Sequence, residues 1–400
     1  MPYQIKPNRT VVTSFTGKNS SFPSIDYDDG LYVLHTSCDS AAKSHPSSSL
    51  SCALSDGSLQ MYNAEQLRCI YNVPHAHAKE NPMITDLYQI DANQMMSSGM
   101  DGTVKLYDVR TKNNNSSPVM TMILANKEQA LSVSLGFGNT LAAVGSHKSN
   151  IHFYDMRQSN TLVGSYVDAH TEEVTKVRFH ETNHNILVSG SEDGLVCLFD
   201  TQQPSEEAAL VSVCNAQSSI RQVGYFAQDG LYVLTGSESM SLWHGPTAQR
   251  LVDFSSSPSN TNLRTELSKQ ASMDIHYFID AHHDPDKGLL QLVAGNDDGN
   301  IAMFVVSPTN IIHTHTLLSG HKGVVRSISW PSPHTCITAG EDARLVEWNL
   351  HPTTATATDP KATTTPSSRS APTGGGPARR HHHHKSSTKS SRKKNSHNPY

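Results

Sequence analysis

Residues 187–200 read LVSGSEDGLVCLFD, and the fold follows from how this stretch is parsed. An apolar run ends in Ser-Gly-Ser, Asp193-Gly194 follows, and LVCLF then alternates up to an aromatic, Phe199. An Asp-Gly pair accepts the positive φ that a two-residue hairpin turn favours, so the stretch predicts strand, tight turn, strand. Alternation in LVCLF predicts a half-buried strand. Six further stretches repeat the pattern: SCALSDGSLQMY, MSSGMDGTVKLYD, AAVGSHKSNIHFYD, VLTGSESMSLWHG, LVAGNDDGNIAMF and CITAGEDARLVEWN. Their closing aromatics, with Phe199 in its place, are Tyr62, Tyr107, Tyr154, Phe199, Trp243, Phe304 and Trp348, at intervals of 45, 47, 45, 44, 61 and 44 residues. Seven copies at nearly constant spacing are an internal repeat. Apolar stretches before the copies (VTKVRF, 174–179; VVRSISW, 324–330) and after them (TLVGSYV, 161–167) raise the count to about four strands per repeat. Only NTNLRTELSKQA, at 260–271, has helix character.

This pattern resembles the WD-repeat β-propellers, which have a period of about 40–45 residues and a Gly-His…Trp-Asp signature. The seventh copy carries it most fully, as Gly320-His321, Asp342 and Trp348; the fourth has His170, Asp193, Phe199 and Asp200. The resemblance implies an all-β, seven-bladed propeller over residues 1–350. It also implies a hydrogen-bonded tetrad within a blade: His321, Thr338, Asp342 and Trp348 in the seventh, and His170, Ser189 and Asp193 in the fourth, where Phe199 cannot donate the last bond. The third copy has His147-Lys148 and the fifth Ser239-Met240 in place of the turn pair, so no such tetrad is expected there. The last repeat stops at Leu350, one strand short. Residues 9–15, RTVVTSF, are the spare strand that would complete it and close the ring.

Composition narrows the function. No apolar run approaches the roughly 20 residues of a membrane-spanning helix, and the first residues lack the pattern of a secretory signal. Six cysteines without a C-x-x-C pair speak against a zinc ribbon or a disulfide scaffold and for free thiols in a reducing compartment, nuclear and/or cytoplasmic. Residues 351–400 hold nine Lys or Arg against one acid, Asp359, hence +8; the remaining 22 basic and 35 acidic residues give 1–350 a charge of -13. Such a body is unsuited to tracking a phosphate backbone, whereas the tail could do so weakly. The tail has almost no large apolar residues and is expected to be disordered. Its clusters Arg379-Arg380 and Arg392-Lys-Lys394 resemble a nuclear targeting signal, and the His381–His384 run reads as low-complexity sequence.

No nucleophile, cofactor loop or metal cage stands out, so no catalytic, cofactor or metal residue is assigned. His321 and Asp342, with Ser329 or Thr338, imitate a catalytic triad, but recurrence of the same residue types in the fourth copy marks a structural device. The segment Asp280-Ala-His-His-Asp-Pro-Asp286 could suggest a metal, but Pro285 and Gly288 make it read as a solvated turn. Ser/Asn-rich insertions at 37–49 and 255–272 are expected to be disordered loops. The leading expectation is a non-enzymatic scaffold for other proteins. A second comes from Tyr107-Asp-Val-Arg110 and Tyr154-Asp-Met-Arg157. These resemble the Trp-Asp-x-Arg boxes of substrate receptors that dock on the cullin-4 ubiquitin ligase adaptor, which implies partner contacts for Arg110 and Arg157. An enzyme acting at the central channel is the least favoured reading.

Overall fold

Turn chemistry shapes every repeat. Gly57, Gly102, Gly194 and Gly299 take φ of 77°, 77°, 80° and 83° in the Asp-Gly turns. Where the glycine is missing, Ser149, Glu238 and Ala343 take the left-handed conformation (φ 60°, 54° and 56°). In the fifth repeat the turn pair is therefore Ser237-Glu238, two residues earlier than the Ser239-Met240 expected. A computed structural model describes residues 2–13, 31–38, 49–111, 117–158, 161–254 and 262–350. The tail at 351–400 lies outside the described residues, as do 39–48 and 255–261 of the two insertions.

Seven sheets result. The first blade holds β3 (Val33–Cys38), β4 (Ser49–Leu54), β5 (Leu59–Asn63) and β6 (Arg68–Val73). The second holds β7 (Ile84–Gln89), β8 (Gln94–Gly99), β9 (Thr103–Asp108) and β10 (Met120–Ile123). The third holds β11 (Ala130–Gly136), β12 (Leu141–Ser146), β13 (Ile151–Asp155) and β14 (Leu162–Tyr166). The fourth holds β15 (Val174–Phe179), β16 (Ile186–Ser191), β17 (Leu195–Asp200) and β18 (Leu210–Asn215). The fifth holds β19 (Ile220–Phe226), β20 (Gly230–Thr235), β21 (Met240–His244) and β22 (Gln249–Asp253). The sixth holds β23 (Tyr277–Asp284), β24 (Leu289–Gly295), β25 (Ile301–Ser307) and β26 (Asn310–Leu317). The seventh holds β27 (Val325–Ser332), β28 (Thr335–Gly340) and β29 (Arg344–Asn349). The first strand of each blade is innermost, and these strands adjoin in chain order until β27 returns to β3. The molecule is a seven-bladed β-propeller.

The apolar core is divided into seven clusters, one between each pair of neighbouring blades. In β17, Val196 and Leu198 pack toward the fifth blade while Cys197 and Phe199 pack toward the third. The alternation in LVCLF therefore sorts residues between two buried faces. It does not separate a core face from a solvent face, as the half-buried reading supposed.

Two N-terminal strands lock the ring. In the seventh blade β2 (Arg9–Val12) pairs antiparallel with β29, from Arg9 opposite Glu347 to Val12 opposite Arg344. Asn8 N–H donates to the Glu347 carbonyl (2.9 Å) and Thr13 N–H to the Ala343 carbonyl (2.9 Å). Ahead of it, β1 (Tyr3–Ile5) adds to β26 in parallel and makes the sixth sheet five-stranded. One short segment thus pins two neighbouring blades.

Two expectations need correction. Residues 262–271 have the helix character their sequence suggested and not the disorder expected of the insertion: Leu263–Ala271 form a capped helix, Asn262 accepts the N–H of Thr265, and Leu263, Leu267 and Ala271 pack into the core between blades five and six. The supposed turn at 280–286 is mostly strand: β23 runs through Asp284 before turning at Pro285.

Deleting residues 1–13 leaves β29 as an open edge and frees the outer edge of β26. The melting midpoint should fall by several degrees in a single cooperative transition, because every blade depends on both neighbours. An unchanged thermal melt would refute the closure.

Candidate functional site

Where the innermost strand of each blade meets the second, the register shifts at the same place. The breaks fall between Val33/His35, Ile84/Asp86, Ala130/Ser132, Val174/Lys176, Ile220/Gln222, Phe278/Asp280 and Val325/Ser327. A bulge re-aims the residue that follows it. Here the following residue is polar in all seven blades, and all but Ser132 line a central cavity of about 1940 Å³. Most innermost strands carry other polar residues as well, such as Thr36 and Ser37 in β3 or Thr175 and Arg178 in β15, so the position stands out only when the seven strands are aligned on the shift.

Asp86 is the hub of this ring. Its Oδ2 accepts from Ser132 Oγ (2.7 Å), Val133 N–H (3.2 Å) and Arg178 Nη1 (3.0 Å), and its Oδ1 from Lys176 Nζ (3.3 Å). Burial works against this charge, but Arg178 and then Lys176 outweigh it and hold the carboxyl well below its usual range. Burial also pulls Lys176 down, against the attraction of Asp86. Asp280, across the ring in blade six, differs: burial raises its carboxyl above the ordinary value, opposed only in part by the bonds from Gln222 and its own chain. His35 is pushed down to about 4 by burial, with Asp86 opposing and the two cations reinforcing.

A second set of polar residues lies inside the blades. In the seventh, His321 Nδ1 bonds Asp342 Oδ1 (3.0 Å), His321 Nε2 bonds Thr338 Oγ1 (2.7 Å), and Trp348 Nε1 donates to the same hydroxyl (2.8 Å). In the fourth, His170 lies between Asp193 (3.2 Å) and Ser189 (2.7 Å). The Glu206 carboxylate accepts the N–H groups of Val167, Asp168 and Ala169 (2.7, 2.9 and 2.8 Å), which fixes the loop that delivers His170. Ser329 bonds Thr36 of the first blade and takes no part in the His321 network.

The second blade holds a network that sequence reading missed. His77 bonds Asp101 (2.9 Å) and Ser97 (2.8 Å), and Tyr107 donates to the Ala76 carbonyl (3.0 Å). The spacing of 24 residues from His77 to Asp101 was a usable signal beside 23 in blade four and 21 in blade seven. The third blade rebuilds the network from other residues: Glu128 accepts from Ser146 Oγ (2.9 Å) and bonds His152 Nε2 (3.0 Å), while His152 Nδ1 meets Ser165 Oγ (2.7 Å). In the fifth blade Trp243 Nε1 donates to Ser241 (2.8 Å).

Arg110 and Arg157 follow the third strands of neighbouring blades and share one geometry. Arg110 Nε and Nη2 clasp Asp108 (2.9 and 2.5 Å); Arg157 Nε and Nη2 clasp Asp155 (2.9 and 2.7 Å). The clasp holds Asp155 down at about 2. Both guanidiniums remain exposed, at 58% and 72% of the side chain.

Comparison with known proteins matches this architecture. Residues 311–349, which contain the full tetrad, match the WD domain, G-beta repeat family. The chain has the fold and the repeat pattern of the WD-repeat β-propellers. Residues 75–247 match the family described as Nucleolar protein 10-like, N-terminal domain. WD repeat-containing protein 89 homolog of Dictyostelium discoideum is 29% identical over 345 residues, covering 85% of this chain and 89% of that protein. WD repeat-containing protein GTS1 of Arabidopsis thaliana is 30% identical over 267 residues, covering 63% and 65%. A chain of the crystal structure of the mitotic checkpoint complex superposes with a TM-score of 0.65 over 88% of this chain and 93% of its own, at 16% identity, which speaks to the fold alone. Among the described residues no helix is long and apolar enough to cross a membrane, and no group of three or more His, Cys, Asp or Glu is placed to hold a metal ion.

Two outcomes follow. Asp342→Ala removes an acceptor for His321, Lys322 N–H and Arg344 N–H; it should lower unfolding stability by roughly 1–3 kcal/mol in denaturant titration. His35 protonates near 6.5 when unfolded but only near 4 in the fold. The unfolded chain therefore binds more protons in that window, and stability should fall as pH drops through it. His35→Gln should flatten part of the slope in pH-dependent melts.

Proposed function

We propose that this chain is a non-enzymatic scaffold that binds other proteins across the channel mouths and rim of a rigid ring. One observation carries the reading: its acid–histidine–hydroxyl networks recur in blades two, three, four and seven. A catalytic site occurs once, whereas a device that ties a turn to a strand recurs with the blade. On the channel wall Asp86 is occupied by Lys176, Arg178, Ser132 and the N–H groups of Leu87 and Val133, which disfavours it as a base. What remains for function is a wide polar channel on an inflexible frame, suited to a polypeptide partner. A nuclear location belongs to the same reading, supported by the basic clusters at 379–380 and 392–394 and by the match to a nucleolar protein family.

A second reading, a receptor for a cullin-4 ubiquitin ligase, is favoured by the matched geometry of Arg110 and Arg157. Both are exposed, both are preset by an aspartate two residues earlier, and they end equivalent strands in adjacent blades. A preorganised guanidinium loses little freedom when it adds a bond to a partner. Affinity capture of full-length protein from cells tests both readings. A scaffold should retain a reproducible set of proteins in stoichiometric amounts, and recovery of the chain alone would sink that reading. If the set includes the cullin-4 adaptor, Arg110→Ala with Arg157→Ala should abolish its capture without moving the melting midpoint. An adaptor that is never captured, or that survives the double substitution, removes the receptor reading or its docking site.

A further inference from the structure

Two of the seven register-shift positions hold carboxylates, and their circumstances are opposite. Asp86 is met by Lys176, Arg178, a hydroxyl and the N–H groups of Leu87 and Val133. Asp280 has no ion pair among the described residues. Its Oδ1 accepts Gln222 Nε2 (2.9 Å), Ala281 N–H (2.7 Å) and, more weakly, Tyr232 O–H (3.4 Å). Its Oδ2 takes no bond from any described residue and is not sealed from the channel, whereas the Oε1 of Gln222, on the amide that donates to Asp280, is buried without a partner. Because Gln222 spends its amide N–H on Asp280, its oxygen cannot be exchanged for a donor without losing that bond. The pair therefore leaves two oxygens without a donor from the described residues, a carboxylate oxygen open to the channel and an amide oxygen buried in the wall.

Buried acceptors of this kind are normally matched, and burial makes the Asp280 charge harder to hold. Lys176 and Arg178 reach Asp280 only through space; their hydrogen-bonding groups are turned to Asp86. A group that meets the demand must bring several N–H donors and a positive charge. The guanidinium presents its donors as a planar fork that suits a carboxylate, here one whose other oxygen is already held by Gln222.

We propose that Asp280 and Gln222 form a subsite on the channel wall that takes a basic side chain, arginine foremost, from a partner polypeptide. The proposal rests on the scaffold reading and adds the chemistry of the partner. The cavity is wide enough to admit a peptide segment, and both residues line it. The body around it carries a net charge of -13 over residues 1–350, which favours approach of a basic segment.

Panning a phage-displayed library of random peptides against the full-length protein tests this. Enriched peptides should share an arginine or lysine. A synthetic copy with citrulline in place of the arginine, which keeps the shape but loses the charge, should bind about tenfold or more weakly. Asp280→Asn should cost the wild-type peptide a similar factor. Gln222→Glu, which adds a second carboxylate, should tighten basic peptides and serves as the test if Asp280→Asn does not fold. Enriched peptides without a basic residue, or equal binding by Asp280→Asn, overturn the subsite and leave the scaffold reading standing. Weaker binding of basic peptides by Gln222→Glu also overturns the subsite. Wild-type protein that enriches no peptide overturns both.

Discussion

Each blade buries both of its faces against its neighbours, and the rest of the structure depends on that constraint. In β28, Cys336 packs toward blade six while Ile337 and Ala339 pack toward blade one. A blade alone would expose two apolar faces, so a partial ring is not a smaller stable protein. The interface between blades seven and one joins the two ends of the fold. It contains Leu50, Leu54 and Tyr62 from the first blade and Ile337 and Leu345 from the last, with Val11 of β2 at its margin. The hydrogen bonds of β2 and the apolar contact around Val11 therefore act together at the seam, and β1 extends the hold to the sixth blade.

Repetition made the architecture legible. A single copy of LVSGSEDGLVCLFD could be a hairpin in many folds, whereas seven copies at nearly one spacing leave few alternatives. The misreadings were local and have physical causes. Pro285 and Gly288 suggested a turn, but the innermost strands of this ring face a polar channel, so β23 can hold Asp280, His282 and Asp284 without leaving the sheet. Within the Ser/Asn-rich insertion at 255–272 the helix character of 260–271 prevails over the disorder expected from composition: Asn262 caps the helix, and Leu263 and Leu267 lie four residues apart on one face.

The candidate site was legible only where it follows the family pattern. His321, Asp342, Thr338 and Trp348 stood out because their spacing and residue types coincide. His77 performs the same bonding in blade two without a preceding glycine, and Tyr107 replaces the tryptophan by donating to a backbone carbonyl. Blade three goes further and exchanges positions, with Glu128 on the loop and His152 on the strand. What is preserved is the satisfaction of buried polar groups, and several residue sets can meet it. A motif search by residue type underestimates how many blades are cross-tied in this way.

The channel ring could not be read from any one strand, because its meaning lies in comparing seven. A threonine-lysine pair in VTKVRF or an aspartate in ITDLYQ looks like an ordinary polar residue at a strand edge. Aligned on the register shift, the same place yields His35, Asp86, Ser132, Lys176, Gln222, Asp280 and Ser327. The shift turns these side chains away from the interblade cores, where an unpaired charge would be costly. The architecture then permits the wall to vary without disturbing the packing, since the residues on either side of the shift still alternate between neighbouring blades. A ring held by repeated interblade contacts thus leaves one position per blade free to differ. Asp86 and Asp280 show how far apart two such positions can be in the same channel.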